Sequence, residues 1–240
     1  MSSRSSSSSR MVKAIRALEL SGPEAVPLSP FSLLRNGSSW GGGNYCLVEA
    51  GHTILVHAAA GGVGSLLCQW ANALGATISG TVSAKEKAIQ AKEYGCHHVI
   101  IYKEEDFLLT RVNDNIRAKA LACNESHSQS VWLTRGSLDC LKLVGYIVSF
   151  GQSSGKPDPL PLSAIAVKSL FLTRPSLVQY IVTREELLEA SEELFANIVS
   201  GVLYVHVSHK YPPLQAAEAH ADLEDRRTTG SIMLTPDASF

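Results

Sequence analysis

The chain has 240 residues, of which 45% are hydrophobic and 18% are charged, and its formal net charge at pH 7 is −1. This composition is typical of a folded globular protein with an extensive core. A charge so near zero does not favour binding to nucleic acid or to an anionic membrane surface, and no apolar run approaches the roughly 18 residues of a membrane-spanning helix. The five cysteines form no C-x-x-C pair and no disulfide framework, so the sequence predicts a reducing, cytoplasmic setting and no metal site.

The first fifty residues differ from the rest. Residues 1–10, MSSRSSSSSR, form a Ser-rich tail for which the composition predicts disorder. Ser and Arg without acidic residues are also typical of organelle transit peptides, so an organelle stays open as the alternative location. Residues 11–50 contain the turn-rich stretches SGPEAVPLSP and RNGSSWGGGNYC, which predict no clear helix or strand.

Strands and helices alternate from Thr53 onward, with short connections between them. This alternation predicts an α/β fold with a Rossmann-type doubly wound parallel sheet. The predicted elements are a strand at 53–57, a helix at 65–74 ending before Gly75, a strand at 76–82, a helix with a Ser83–Glu86 capping box ending before Gly95, and a strand at 97–102.

The second half of the chain returns to the same alternation. Its predicted elements are a helix at 137–145 closed by Gly145, strands at 146–151 and 168–173, a helix from the Thr183–Glu186 capping box to Gly201, a strand at 203–207, a helix at 214–225 and a strand at 230–235. Residues 111–135 look irregular, although the usual strand order 3-2-1-4-5-6 places the fourth strand there, beside the first.

A glycine-rich turn lies between the first predicted strand and helix, in the stretch TILVHAAAGGVG at 53–64. Ala58, Gly61 and Gly64 form the pattern A-x-x-G-x-x-G. Small residues let the backbone approach a pyrophosphate, and the following helix offers free N–H groups and the positive end of its dipole. The position within a strand–helix–strand unit favours a dinucleotide site; the alternative is a tight turn without a ligand.

The end of the second predicted strand indicates which dinucleotide is bound. NAD-binding folds usually place an acidic residue there for the ribose 2′-hydroxyl, but this sequence has Ser83, Lys85 and Lys87 instead. A hydroxyl and cations suit a 2′-phosphate, so the sequence predicts NADPH rather than NADH. The alternative is that the lysines are solvated helix residues, which we expect for at least one of them.

Four stretches of the sequence are distinctive: ILVHAAAGGVGSLLCQWANALGATISGTVSAKEKAIQAKEYGCHHVIIYKEEDF, SLDCLKLVGYIVSFGQSSG, SLFLTRPSL and TREELLEASEELFANIVSGVL. They resemble the NADPH:quinone oxidoreductases, the zeta-crystallin-like branch of the medium-chain dehydrogenase/reductase superfamily. The resemblance implies an NADPH-binding Rossmann domain at 51–202, with remnants of a GroES-like catalytic domain at 11–50 and 203–240. It also implies zinc-free hydride transfer from NADPH to a quinone or enone.

The resemblance assigns cofactor-binding residues but no catalytic residue. The pyrophosphate turn corresponds to Ala60, Gly61, Gly62, Val63 and Gly64, and the 2′-phosphate site corresponds to Lys87, Tyr102 and Arg226, beside Ser83. The nicotinamide end corresponds to Phe150, Gly151, Gln152 and Ser153, together with Leu172, Thr173 and Arg174. For Phe150 and Leu172, packing in the core is an equally good interpretation.

The sequence departs from this family in two places. The family's substrate-binding segment has no counterpart before Val48, which implies that most of the GroES-like domain is missing, and 111–135 lacks the family's apolar strand. The first hypothesis is therefore an NADPH-dependent quinone or enone reductase, impaired by this loss. The second is a non-catalytic NADPH-binding or interaction protein, forming a homodimer or pairing with a full-length relative. RNA binding, known for some zeta-crystallins, gains no support from the near-neutral charge.

Overall fold

The computed structural model describes residues 48–104, 118–124, 136–151, 159–225 and 227–236, and for 118–124 it describes the backbone path. The predicted Ser-rich tail at 1–10 and nearly all of the predicted remnant at 11–50 lie outside the described residues. The domain boundaries therefore stay a prediction. All six strands of the main sheet lie within the predicted range 51–202.

The main sheet has six parallel strands in the order β3-β2-β1-β4-β5-β6. This arrangement confirms the predicted α/β class and the predicted strand order 3-2-1-4-5-6. The strands are β1 (Thr53–His57), β2 (Thr77–Val82), β3 (His98–Ile101), β4 (Ala118–Asn124), β5 (Leu141–Gly151) and β6 (Phe171–Thr173).

Helices connect or follow these strands, and a second sheet of two parallel strands lies near the end of the chain. The helices are α1 (Gly62–Ala73), α2 (Lys85–Glu93), α3 (Leu162–Ala166), α4 (Leu177–Tyr180), α5 (Arg184–Val199) and α6 (Ala216–Glu224). Residues 136–140 are also helical. The second sheet consists of β7 (Val207–Tyr211) and β8 (Ser231–Leu234).

The core has one layer on each face of the main sheet, because successive strand residues point to opposite faces. Val56 and Ile78 belong to the larger layer, which also includes buried residues of α1 and α2. Leu55 and Ile147 belong to the smaller layer, together with Leu138 from the helical residues 136–140. The apolar runs of β1 and β5 therefore reflect burial on both sides of a parallel sheet.

The predicted ends of three helices are confirmed. Gly75, Gly95 and Gly201 follow α1, α2 and α5 with φ between +78° and +93°, the left-handed conformation that ends helices and that glycine adopts without a Cβ clash. The capping box of α5 is present as well: the Glu186 N–H donates to Thr183 Oγ1 over 3.2 Å, and the Thr183 N–H donates to Glu186 Oε2 over 2.9 Å.

The predicted capping box of α2 is wrong. The residue that precedes the helix is Ala84, in an extended conformation with φ −156° and ψ 161°, and it makes no side-chain cap. Ser83 and Glu86 have the spacing of a capping box, but Ser83 lies one residue before the N-cap position, so Glu86 is the second and not the third residue of the helix. Ser83 is left at the end of β2, half-buried.

The expectation that residues 111–135 lack a strand is also wrong. β4 lies inside this range and pairs with β1 on one side and β5 on the other. Its sequence, AKALACN, is rich in alanine, which has a weak preference for strands. Hydrogen bonds from two neighbouring strands override that preference, which no local pattern in the sequence could show.

The predicted helix at 137–145 is confirmed only at its start, because β5 already begins at Leu141. The pairing between β4 and β5 jumps from Ala118–Leu141 to Ala120–Tyr146, so β5 bulges between these pairs. Val144 lies in the bulge with φ +57°, a strained value for a β-branched residue. Gly145 therefore does not terminate a helix.

The strand predicted at 203–207 begins only at Val207, while the predicted helix and last strand are confirmed as α6 and β8. Leu203 is instead buried in the larger core layer, and the Tyr204 N–H donates to Gln69 Oε1 of α1 over 2.6 Å. This packing explains the apolar residues that had suggested a strand. β7 and β8 pair with each other.

Candidate dinucleotide site

The carboxyl ends of the six parallel strands meet at one edge of the sheet. The strand order reverses between β1 and β4, because β2 and β3 lie on one side of β1 and β4, β5 and β6 lie on the other. In open α/β sheets, ligands bind in the crevice outside such a reversal point. The glycine-rich turn follows β1 directly and therefore lies at this position.

A close backbone contact forms the glycine-rich turn. Ala58 has φ +53°, and its carbonyl accepts a hydrogen bond from the Gly61 N–H over 2.8 Å. A Cβ added at Gly64 would lie 2.1 Å from the Ala58 oxygen, closer than any real contact. The first turn of α1 can therefore lie against the strand end only if residue 64 is glycine.

The amino end of α1 points into the crevice with groups that suit an anion. Gly61 precedes the helix with φ −78° and ψ 172° and adds no side-chain cap. The first N–H groups of any helix lack intrahelical acceptors, and the helix dipole places partial positive charge there. Ala60 to Gly64 therefore form a turn whose backbone could hold a pyrophosphate.

A second segment contributes to the same turn, and the sequence did not reveal it. The Gly230 N–H donates to the Ala60 oxygen over 3.2 Å, and Gly230 pairs with Gly61 in an isolated parallel bridge. A Cβ added at Gly62 would lie 3.0 Å from the Gly230 oxygen. The candidate site thus consists of the turn and the segment 227–231, which are far apart in sequence and have no shared local pattern.

The two lysines after β2 have different surroundings. Lys85 is exposed and forms an ion pair with Glu104 across 3.4 Å, the arrangement of an ordinary surface charge. Lys87 is half-buried, and its Nζ donates to the Thr228 oxygen over 3.4 Å. The Lys87 side chain therefore extends from α2 to the segment 227–231.

The remaining residues predicted for the 2′-phosphate lie at the same edge or outside the described part. Tyr102 directly follows β3, is half-buried, and its N–H donates to the Val82 oxygen over 3.1 Å. Arg226 lies outside the described residues. Ser83 and Tyr102 thus follow two neighbouring strands, β2 and β3, whereas Lys87 lies in the first turn of α2.

The residues predicted for the nicotinamide end lie at the ends of β5 and β6. Phe150 is 7% exposed and belongs to the larger core layer, which supports its interpretation as a packing residue. Gly151 is buried at the end of β5, whereas Leu172, Thr173 and Arg174 are partly or fully exposed at the end of β6. Gln152 and Ser153 lie outside the described residues.

A buried histidine at the end of β1 was missed by the sequence analysis. His57 Nδ1 lies 2.8 Å from Thr81 Oγ1, and His57 Nε2 lies 2.8 Å from Ser137 Oγ. Burial lowers the pKa of His57 from 6.5 to about 4, so its imidazole is neutral near pH 7. A histidine directly before a glycine-rich turn was a signal in the sequence, but its two partners are distant along the chain.

Within the described ranges, no group of three or more His, Cys, Asp or Glu side chains could hold a metal ion. The helices of the described residues include none long and apolar enough to cross a membrane.

Comparison with known proteins gives a match to one family model. The model is described as zinc-binding dehydrogenase and matches residues 62–197, which begin at α1 and end within α5. This range includes most of the six-stranded sheet. It excludes the segment 227–231 that contacts the glycine-rich turn.

Individual relatives extend the match. Quinone oxidoreductase 1 of Escherichia coli strain K12 is 47% identical over 193 residues, which are 79% of the chain and 58% of that relative. A 2-haloacrylate reductase of a Burkholderia species is 40% identical over 193 residues, or 80% of the chain and 57% of that relative. The chain thus spans little more than half the length of these curated relatives.

A solved structure agrees with the fold. The crystal structure of Escherichia coli quinone oxidoreductase complexed with NADPH matches with a TM-score of 0.75 and 43% identity. The match covers 88% of the chain and 62% of that structure.

Acid is expected to weaken the fold through His57. The folded chain holds the pKa of His57 at about 4 because of burial, whereas the unfolded chain binds this proton near pH 6.5. Between these values the unfolded state holds more protons, so this contribution to stability is complete above pH 6.5 and decreases as the pH falls toward 4. From pH 7 to pH 5, the free energy of unfolding should fall by about 2 kcal/mol more for the unmodified chain than for His57→Asn.

Urea denaturation at both pH values measures this difference. His57→Gln, which also lacks a group that titrates in this range, serves as the second reference. Equal losses of stability in the unmodified chain and in both variants would contradict the assignment of a buried, neutral His57.

Proposed function

We propose that this chain, which belongs to the zinc-binding dehydrogenase family, is an NADPH-dependent oxidoreductase that reduces a quinone-type or enone acceptor. The chain is homologous to quinone oxidoreductases over most of its own length. Because it spans about 58% of that relative, the activity, the acceptor and the partners of the whole relatives are proposals for this chain.

The observation that carries the proposal is the contact between Gly64 and Ala58. It brings the amino end of a twelve-residue helix to the reversal point of a parallel sheet, where backbone N–H groups can meet a pyrophosphate. Gly62 allows the segment 227–231 to lie close against the turn, because a Cβ at position 62 would press on the Gly230 oxygen. The residues present therefore fit a dinucleotide.

The preference for NADPH over NADH rests on the end of β2. Ser83 offers a hydroxyl there, and Lys87 lies half-buried in the first turn of the following helix, against the segment 227–231. Neither is the acidic residue that would accept a hydrogen bond from a ribose 2′-hydroxyl, whereas an ammonium group can pair with a phosphate. The solved relative from Escherichia coli is a complex with NADPH, which supports the same choice.

The chemistry of the reaction belongs to the cofactor, since NADPH supplies a hydride when it is bound. We assign positioning to this chain's residues: Ala60 to Gly64 hold the pyrophosphate, and Ser83, Lys87, Tyr102 and Arg226 hold the 2′-phosphate. We assign the exclusion of water and the orientation of the nicotinamide ring to Gly151, Gln152, Ser153, Leu172, Thr173 and Arg174, whereas Phe150 packs in the core. Such positioning lowers the entropic part of the barrier.

Two measurements on the purified chain test the function. NADPH is titrated by fluorescence, and NADPH consumption is then followed by absorbance with a simple ortho-quinone as the acceptor. We expect saturable binding and turnover. Binding without turnover would overturn the reductase in favour of a non-catalytic NADPH-binding protein, and absence of binding would overturn both.

The 2′-phosphate assignment predicts a selective effect of Lys87→Ala. Loss of a charge-assisted hydrogen bond should weaken NADPH binding by about tenfold or more, while the Kd for NADH should stay unchanged. The matched control is Lys85→Ala, because Lys85 is paired with Glu104 at the surface and its removal should change neither Kd. A Lys87→Ala variant that bound both dinucleotides as tightly as the unmodified chain would refute the assignment.

We also propose that the chain pairs with a second copy, or with a longer relative, through β6. This strand is the last in the described sheet, and Phe171 and Leu172 are 50% and 48% exposed on it. Two such edges can join about a two-fold axis, which buries both apolar surfaces and the open hydrogen-bonding groups.

Sedimentation of the chain at micromolar concentration should therefore show a dimer, and Phe171→Lys should shift it toward monomer because charge blocks pairing of the edge. Phe195→Lys is the control, since Phe195 is 63% exposed on the helix α5 and is not part of β6. A monomer in the unmodified chain, or equal effects of both lysines, would contradict pairing through β6.

A further inference from the structure

His57 joins three parts of the fold at the point where the glycine-rich turn begins. It is the last residue of β1, and the next residue is Ala58. Its side chain points into the sheet's smaller core layer, where it is 7% exposed. From there it contacts the end of β2, which is followed by Ser83, and the helical residues 136–140, which are followed by β5.

Each ring nitrogen of His57 has a hydroxyl partner at 2.8 Å, Thr81 on one side and Ser137 on the other. A neutral imidazole has one N–H donor and one acceptor nitrogen, and each hydroxyl can both donate and accept. The two hydroxyls can therefore satisfy both ring nitrogens of His57 without water. An apolar residue at position 57 would leave both hydroxyls without this partner inside the core.

Thr81 is linked to the turn a second time through its backbone. The Ala59 N–H donates to the Thr81 oxygen over 3.1 Å, in addition to the contact between the Thr81 side chain and His57. Two residues after Thr81, the chain reaches Ser83 and the predicted 2′-phosphate site. The separation between the turn and the end of β2 is thus fixed by residues on both sides of Ala58.

We propose that His57 is a positioning residue for the dinucleotide, which acts by holding the glycine-rich turn in register with the end of β2 through Thr81. This inference rests on the proposed function, because it assigns His57 to the same cofactor site. His57 does not touch the cofactor in this scheme. It determines where the N–H groups of Gly62 to Gly64 lie relative to Ser83.

The conformation of Ala58 makes such support necessary. A non-glycine residue with φ +53° is strained, and strained residues persist only where their surroundings hold them in place. The Ala58 carbonyl oxygen accepts a hydrogen bond from the Gly61 N–H and lies against Gly64. A shift of Ala58 would therefore move the whole amino end of α1, and displacements near 1 Å are enough to impair a binding site.

A purely structural role for His57 predicts a different result. In that case, substitution would lower the stability of the chain in the same way as any core substitution, and the folded fraction would bind dinucleotide normally. The positioning role predicts an altered affinity in folded protein. It also predicts that NADPH and NADH are affected equally, because both contain the pyrophosphate that the turn would hold.

The experiment titrates NADPH and NADH by fluorescence, well below the unfolding temperature of each variant. His57→Phe should raise both Kd values by the same factor, about tenfold. Thr81→Val should act similarly if His57→Phe does not fold, since it removes the same link. His57→Asn should restore most of the affinity, because its amide can replace Nδ1 in the hydrogen bond to Thr81. The double variant His57→Phe, Thr81→Val should have Kd values no higher than those of either single variant, because both substitutions remove the same link.

Leu141→Ala is the matched control, because Leu141 is buried in the same core layer but is the first residue of β5, at the other end of that strand from the candidate site. It should lower the unfolding temperature and leave both Kd values unchanged; Leu141→Val replaces it if the alanine variant does not fold. Unchanged Kd values in the His57 and Thr81 variants would overturn the positioning role alone. Failure of the unmodified chain to bind NADPH would overturn the proposed function, and this inference with it.

Discussion

The approach of the α1 amino end to the Ala58 carbonyl is the contact on which the candidate site depends. It places Gly64 against a strand end with no room for a Cβ, and the close contact directs the first helical N–H groups toward the reversal point of the sheet. A larger residue would move α1 away from β1. The same movement would disturb Leu67 and Trp70, which α1 contributes to the larger core layer, so binding geometry and packing share one constraint.

The two faces of the sheet support this contact in different ways. On the α1 face the support is apolar, because Val56 and Ile78 pack against the helix. On the other face, the end of β1 is held by the polar set of His57, Thr81 and Ser137. Apolar packing is tolerant of small shifts, whereas hydrogen bonds at 2.8 Å fix direction as well as distance. A turn with a strained residue is therefore placed where directional contacts can hold it.

Local sequence patterns predicted the elements whose cause is local. Gly75 and Gly95 mark helix ends because a left-handed residue is needed there, and Thr183 with Glu186 marks a helix start through two hydrogen bonds three residues apart. β4 and the first part of β5 were missed because their conformation comes from pairing with distant strands. The Ser83–Glu86 pair shows the opposite error, since the right spacing was present one residue away from the helix start.

The same division explains what could be predicted of the candidate site. The glycine-rich turn directly follows β1, and Lys87 lies in the first turn of α2, the helix after β2, so their place near the carboxyl edge could be inferred from the strand–helix order. The contacts of Gly230 with Ala60 and of Thr228 with Lys87 join residues more than a hundred positions apart, and no spacing rule reveals them. The different roles of Lys85 and Lys87 could also be assigned only from the structure. Their neighbours show that Lys85 forms a surface ion pair and that Lys87 lies beside the candidate site.

The segment 227–231 therefore extends the site beyond the residues 62–197 that the family model matches. Its contact with the turn is made by backbone atoms: Gly230 has φ +60°, a Cβ on it would lie 2.6 Å from the His206 oxygen, and its own oxygen faces Gly62. Such a contact needs small residues on both sides and tolerates no side chain between them. The segment between α6 and β8 is thus tied to the glycine-rich turn by a backbone contact between residues far apart in the sequence.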